Sequence, residues 1–420
     1  MNIVIFADGI PPEGKGGAER IAWQSALALA SAGHELSIIT TTQAISAKNT
    51  GISTIDGIRI FSIPSRYHTR WRACRSLYNP GPVREVKKIL AELKPDIVHA
   101  HNIHTHLSYE VLSAARACGA RVFHTIHDVM PFHYGKLDSF IDAKNPVCKS
   151  TWNYRVSAWD QLKEYRFRYN PFRNFYIRHK LRFAHVTFAV SDALRDALAQ
   201  NGIRGVEVLH NGIDASAWNI PPAVREAFVA MHNLTQKRVI LFGGRISGMK
   251  GGDALLAALP EIARAVPTVV LLLMGTENEY VRKLKEKAEV LGVGDRIVCT
   301  GWITGDELAA AYQAASVVVG PSICFDSLST IVLEAMACGK PAIGSCFGGF
   351  PEMIDDGVTG YTVHPLATEV MTERCVELLT DTEKATKFGI AGAKRQSEEF
   401  SAEIQTKKLI ARYDAELHRQ

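Results

Sequence analysis

The chain has 420 residues, 47% of them hydrophobic and 22% charged, an ordinary globular composition that excludes wholesale disorder and is long enough for two domains. Its formal net charge of +5 is a mild basic balance that admits anionic ligands or anionic lipid surfaces and does not require nucleic acid. No uninterrupted apolar run approaches the roughly 20 residues that span a bilayer.

Met1-Asn2-Ile3-Val4-Ile5-Phe6 has no basic leader or cleavage site and reads as a first buried strand, not a signal peptide. A helix is predicted over 18–33, with Ile21, Leu27 and Leu29 on its apolar side and Gly33 at its end. Strands follow at 35–40 and 59–63, a helix at 83–93, and strands at 96–100 and 121–125. Strands alternating with helices imply a parallel sheet covered on both faces, as in Rossmann-like domains. From 154 to 183 the texture changes to intermixed Arg, Lys, Tyr and Phe, after which a strand at 186–190, a helix at 191–200 and a strand at 206–209 resume the pattern. His210–Pro222, with Asn-Gly, Trp and a Pro pair, is the best linker. A second alternating set runs from Arg238 to Ser345, and a charged helix over 402–417 closes the chain. The architecture read from this pattern is α/β: two Rossmann-like halves facing a cleft.

Eight cysteines are scattered without a C-x-x-C pair, which argues against a zinc ribbon or a disulfide framework and fits a reducing cytoplasm.

Four segments offer chemistry. Gly14-Lys15-Gly16-Gly17 lies between the first strand and the first helix, where glycines let backbone amides approach a ligand and a helix N-terminus favours negative charge. It is not the G-x-G-x-x-G dinucleotide fingerprint; a plain turn is the bland alternative. Gly243-Gly244-Arg245-Ile246-Ser247-Gly248-Met249-Lys250-Gly251-Gly252 is not a P-loop, since Met249 stands where that motif needs lysine. It still places two cations in a glycine-rich loop at a strand's carboxyl end, suited to a diphosphate. From Pro321 to Gly339 a polar turn carrying Asp326 leads into an apolar helix, beginning near Ser329 or Thr330, that carries Glu334. Two carboxylates beside free helix amides suit sugar hydroxyls and phosphate, or else Asp326 is a turn residue and Glu334 is solvated. His127-Asp128 follows a strand end, where a ligand-facing residue is expected. His99, His101, His104 and His106 also cluster, but without an accompanying carboxylate or cysteine set, and no D-x-D triplet occurs, so metal dependence is disfavoured.

Taken in order, Gly16-Gly17-Ala18-Glu19, Gly33-His34-Glu35, Pro95-Asp96-Ile97-Val98-His99, His127-Asp128, His210-Asn211-Gly212-Ile213-Asp214, Gly244-Arg245, Lys250-Gly251, Leu333-Glu334-Ala335-Met336-Ala337-Cys338-Gly339-Lys340-Pro341 and Gly348-Gly349-Phe350-Pro351-Glu352 span nearly the whole chain. Together they resemble the retaining glycosyltransferases of family 4, which have the GT-B fold. The resemblance implies an N-terminal acceptor-side domain over 1–209, joined by the returning C-terminal helix 402–420, and a donor-binding domain over 210–401. It implies that Arg245 and Lys250 bind the donor diphosphate, that Glu334 holds the ribose hydroxyls, and that Asp326 contacts the donor sugar. His127 matches the family histidine near sugar and acceptor, Gly16 and Gly17 the loop approaching the phosphates, and Trp302 and Ile303 the segment that reads the base. Ser329 and Thr330 open the helix whose amides face the phosphates. Asp326 departs from the usual Glu, and Ser327-Leu328-Ser329 from the usual Gly-Phe-Gly-like run, which bears on the choice of sugar.

The implied activity is metal-independent transfer, with retention, from a UDP- or GDP-sugar to a glycan or lipid-linked acceptor in cell-surface polysaccharide biosynthesis, without a cofactor. The rivals are a sugar-nucleotide epimerase or phosphorylase on the same scaffold, and a non-catalytic nucleotide-sugar-binding protein. The expected location is cytoplasmic. The stretch 154–183 reads either as a peripheral face for anionic lipid on the inner side of the plasma membrane or as a buried helix with outward-reaching Arg and Lys stems; nucleic acid could use the same ingredients, but the rest of the chain offers no supporting module and no nucleic-acid partner is expected.

Overall fold

The computed structural model describes residues 1–14 and 16–419; Lys15 of the first glycine-rich loop and Gln420 at the end of 402–420 lie outside the described residues, as does the side chain of Phe167. The chain forms two compact units: Met1–Gly135 with Asn153–Gly212 and Ala402–Gln420, and Lys136–Trp152 with Ile213–Ser401. Each is a parallel-sheet α/β domain of the Rossmann-like kind.

The first unit holds β1 (Asn2–Phe6), β2 (Glu35–Thr42), β3 (Gly51–Ile55), β4 (Ile58–Pro64), β5 (Ile97–Ala100), β6 (Arg121–Ile126), β7 (Val186–Ala189) and β8 (Glu207–Val208). They lie in the order β3-β4-β2-β1-β5-β6-β7-β8. All neighbours are parallel except the β3–β4 hairpin. β1 is central because its run Ile3-Val4-Ile5-Phe6 is buried on both faces. β3 is exposed throughout, so no apolar signal marks it in the sequence. What makes it is the Asp56-Gly57 turn, both residues at positive φ (50° and 78°), the geometry that matches hairpin twist. The closing helix Ala402–Leu417 packs on Gly17–Ser31. Its Tyr413 is wholly buried and hydrogen-bonds His99 Nδ1 at 2.6 Å.

The second unit holds β9 (Arg238–Gly243), β10 (Val269–Met274), β11 (Ile297–Gly301), β12 (Val317–Gly320), β13 (Ala342–Ser345) and β14 (Gly360–Val363), in the order β11-β10-β9-β12-β13-β14, all parallel. β10 is buried at every position, as Val269-Val270-Leu271-Leu272-Leu273-Met274 requires. The switch in strand order lies between β9 and β12, so the loops after these two strands flank the crevice where open α/β sheets take ligands.

Two features differ from the sequence-based expectation. The segment 136–152, grouped there with the first domain, belongs to the second unit. Leu137 accepts the Phe325 amide at 2.6 Å, and Phe140 and Trp152 pack edge-on against Phe347. The expected absence of disulfides is also corrected: Cys148 and Cys346, 198 positions apart, are joined, with their Cα atoms 5.7 Å apart. No spacing rule anticipates a bridge between such distant cysteines.

Candidate functional site

In the second unit the glycine-rich loop after β9 ends in a single helical turn, Gly248–Lys250. Gly251 has φ 80°, and a Cβ there would sit 1.7 Å from the Pro321 carbonyl oxygen, so only glycine lets this loop lie against the one after β12. The Ile323 amide donates to the Met249 carbonyl at 3.0 Å, completing the junction. That approach puts Lys250 Nζ 2.5 Å from Asp326 Oδ2, while Ser322 Oγ donates to the same oxygen at 3.2 Å. Burial alone would raise the Asp326 carboxyl; Lys250 and Lys136 outweigh it and hold the group below its ordinary range. Burial would likewise lower Lys250, and Asp326 overrides that and raises it. Both are therefore charged. Arg245 is exposed on the same loop, and its charge is felt at Lys250.

The turn after Asp326 is pinned from its other side. Gly349 donates its amide to the Asp326 carbonyl at 2.8 Å, and a Cβ on Gly349 would fall 1.9 Å from the Ser327 carbonyl oxygen. The helix Thr330–Ala337 then starts at Ser329, whose side chain makes no cap, so its first amides are left to other partners. Glu334 is 4% exposed and accepts the Tyr312 hydroxyl, which overturns the solvated alternative. Trp302 and Ile303 lie just past β11, Trp302 exposed and Ile303 half-buried.

In the first unit Gly16 precedes the helix Gly17–Ser31 and has no side chain to cap it. A Cβ on Gly16 would meet Glu19 Oε2 at 1.8 Å. In and just past β5 and β6 the histidines form a set, with His99, His101, His106 and His124 buried and His104 and His127 half-buried. His101 Nδ1 and His127 Nε2 share a hydrogen bond at 2.9 Å, and His99 bonds Thr125 Oγ1 at 2.7 Å besides Tyr413. His104 Nε2 lies 3.0 Å from Asp128 Oδ2, and His106 Nδ1 lies 3.0 Å from Ser65 Oγ. Burial pushes His101 down to about 4; burial, with His101 and His104, pushes His124 down to about 3. Burial and neighbouring histidines hold His99 and His127 well below the ordinary range. The set is neutral at physiological pH, and in the His101–His127 bond one ring donates while the other accepts.

Sequence reasoning missed two parts of these sites. Asp8, just past β1, accepts the amides of Thr105, His106 and Leu107 at 2.6, 2.8 and 2.7 Å, holding the histidine loop by one carboxylate. Lys136 reaches Asp326 electrostatically from the segment 136–152. A lone Asp at a strand end was the available signal for the first; the second had none.

A family model described as Glycosyl transferases group 1 matches residues 224–395, and one described as Glycosyltransferase Family 4 matches residues 15–217. The chain belongs to the group 1 glycosyltransferases, of GT-B fold. The chain is 32% identical over 193 residues to a GDP-mannose-dependent alpha-(1-6)-phosphatidylinositol monomannoside mannosyltransferase of Mycolicibacterium smegmatis, covering 44% of this chain and 50% of that protein. It is 28% identical over 322 residues to an alpha-maltose-1-phosphate synthase of the same organism, covering 73% and 75%. The matches to curated mannosyltransferases span about half of those relatives' length, 50% to 55%. Anabaena HepE, solved in complex with UDP and glucose, has a similar fold, with TM-score 0.73 at 17% identity over 99% of this chain and all of that one. Among the described residues no helix is long and apolar enough to cross a membrane.

Proposed function

We propose that this glycosyltransferase moves a hexose or related sugar, with retention and without a metal, from a UDP- or GDP-sugar to a glycan or lipid-linked acceptor at the cytoplasmic face of the membrane, in cell-surface polysaccharide assembly. The observation that carries the reading is the charged Lys250–Asp326 pair between the loops after β9 and β12. Arg245, Lys250 and the first amides of Thr330–Ala337 supply positive charge and donors for a diphosphate, and Asp326 supplies an acceptor for sugar hydroxyls. GDP-mannose in the names of relatives and UDP in a structure of similar fold support a nucleoside diphosphate donor.

In this reading the bond between the sugar's anomeric carbon and the diphosphate oxygen breaks while the acceptor oxygen attacks from the same face. The acceptor proton passes to the departing phosphate. Arg245, Lys250 and the helix amides stabilise the charge growing on that leaving group, the point at which fixed donors accelerate reaction most. Glu334 holds the ribose, with Trp302 and Ile303 beside the base. His127, neutral and tied to His101, presents a hydrogen-bonding ring to sugar and acceptor, and Gly16 and Gly17 let backbone approach the phosphates.

Calorimetric titration of UDP, GDP and ADP without added metal tests the donor site, using the native chain and an Arg245→Ala, Lys250→Ala double variant. Micromolar binding of one nucleotide, lost in the variant, is the expected result. No binding of any of the three to folded protein overturns the donor assignment. Binding without turnover over acceptor panels would instead make this a nucleotide-sugar-binding protein, and clean epimerisation of the donor an epimerase.

A further inference from the structure

The structure separates the two faces of the basic-aromatic stretch. In the helix Arg173–Leu181, Arg173, Ile177 and Leu181 are buried at intervals of one turn. The opposite face carries Phe172, just ahead of the helix, and Phe175, 75% and 70% exposed, then Arg178, His179 and Arg182, also exposed. Two exposed rings three positions apart beside exposed cations form a patch, and it is a patch, not a single exposed residue, that carries information. On the preceding helix, Ala158–Tyr165, Trp159 is 61% exposed with Lys163 over its ring.

The cationic end of this face opens onto a groove of about 460 Å³ between the helix end, the amino end of β7 and the turn before β8. Phe175, Arg178, His179, Arg182, His185 and Arg204 line it, and no Asp or Glu does. Nearby carboxylates are committed elsewhere. Glu110 takes Lys180 at 2.7 Å, and Glu207 takes Arg412 at 3.0 Å. Arg178, Arg182 and Arg204 have no carboxylate partner among the described residues. Beyond the wall, Arg116 and Arg121 add positive potential, which together with the larger effect of burial keeps His185 below its ordinary range. The groove is at the amino ends of the strands, whereas His101 and His127 lie past the carboxyl ends of β5 and β6, so it is a separate site.

We propose that this groove binds the phosphate headgroup of an anionic membrane lipid, with Phe172 and Phe175 entering the interface beside it. Three guanidinium groups without counter-ions match a phosphodiester in charge and in hydrogen-bonding shape. Exposed rings next to them match the headgroup level of a bilayer, where amphipathic aromatics settle. A soluble phosphate would use the guanidinium groups but leave the rings in water. The proposal rests on the membrane-face part of the functional reading and gives it a site.

The test is co-sedimentation of the full chain with phosphatidylcholine vesicles and with vesicles that also contain phosphatidylglycerol, alongside a titration with inorganic phosphate. The native chain is expected to bind the phosphatidylglycerol vesicles, less strongly as salt rises. Arg178→Ala, Arg182→Ala, Arg204→Ala together should weaken binding about a hundredfold, the triple Lys variant should retain most of it, and Lys237→Ala should bind like the native chain. Thermal unfolding of each variant establishes that it is folded. Equal binding by native chain and triple Ala variant overturns the groove while leaving membrane association intact. Failure of the native chain to bind either vesicle overturns membrane association and the groove's lipid together. Saturation by inorganic phosphate, lost in the triple Ala variant, without vesicle binding reassigns the groove to a soluble anion and overturns the lipid.

Discussion

The loops past β5 and β6 in the first unit and those past β9 and β12 in the second all lie beyond the carboxyl ends of parallel strands, yet they are built from opposite electrostatics. The first set is a cluster of buried and half-buried histidines kept neutral by desolvation and, for most of them, by one another. The second is a fully ionised Lys–Asp pair kept charged in spite of burial. A neutral set suits hydroxyl groups, which need directional donors and acceptors without a strong field. A charged set suits a diphosphate, whose binding depends on that field. On the proposed reading, the neutral set recognises hydroxyl groups and the charged set stabilises the leaving diphosphate.

If the charged pair carries the chemistry, Asp326→Ala should produce the largest loss, about a thousandfold in turnover of the sugar nucleotide the native chain uses. Asp326→Glu should keep most of it; steady-state kinetics of both variants decides, and an active Asp326→Ala enzyme removes the pair from the mechanism.

The electrostatic contrast also predicts that acid acts on the two units at different pH. The folded His101 lies at about 4 against 6.5 for an ordinary histidine. Its depressed value means the unfolded chain binds more protons across that window, so the stability it contributes is full above 6.5 and is lost as pH falls through about 4. That amounts to about 3 kcal/mol for this ring. Asp326 is depressed below 3.8, so its contribution is lost only in more acid solution than that. Hydrogen exchange of β5 and β6 amides should accelerate on acidification before that of β12 and β13, and simultaneous loss would erase the distinction.

Reducing Cys148–Cys346 with dithiothreitol should lower the unfolding free energy of the second unit alone by about 2 kcal/mol; calorimetry with and without the reductant reads this, and an unchanged transition would mean the bond does not constrain that unit. The smallest effect belongs to Asp8→Asn, which exchanges charged for neutral acceptors at three amides. It should cost about 1 kcal/mol, confined to the first unit, seen as a lower denaturant midpoint.

Much of the layout was legible from residues alone, and the reason differs from place to place. β1 and β10 declare themselves because a strand buried on both faces must be a continuous apolar run. β3 does not, because an exposed edge strand needs only a turn and a neighbour. The glycines at 251 and 349 announced loops without saying what they approach; it is the carbonyls of Pro321 and Ser327 that exclude a Cβ. The stretch 154–183 showed its cations and aromatics but not their division between two helix faces, since Arg173 is buried and Phe172 exposed one position away.

Local pattern, then, was sufficient for the alternation of strands and helices, the glycine-rich loops at strand ends, and the eight-residue step from Asp326 to Glu334, because each depends on near neighbours in the chain. The pairing of Lys250 with Asp326 across 76 positions, of Tyr312 with Glu334 across 22, and of Cys148 with Cys346 across 198 came from the folded arrangement. So did the burial that leaves His127 neutral and the lysines that keep Asp326 charged against burial. Contacts between distant residues and the local dielectric exist only once the sheets have formed, and they set the protonation state on which the chemistry depends.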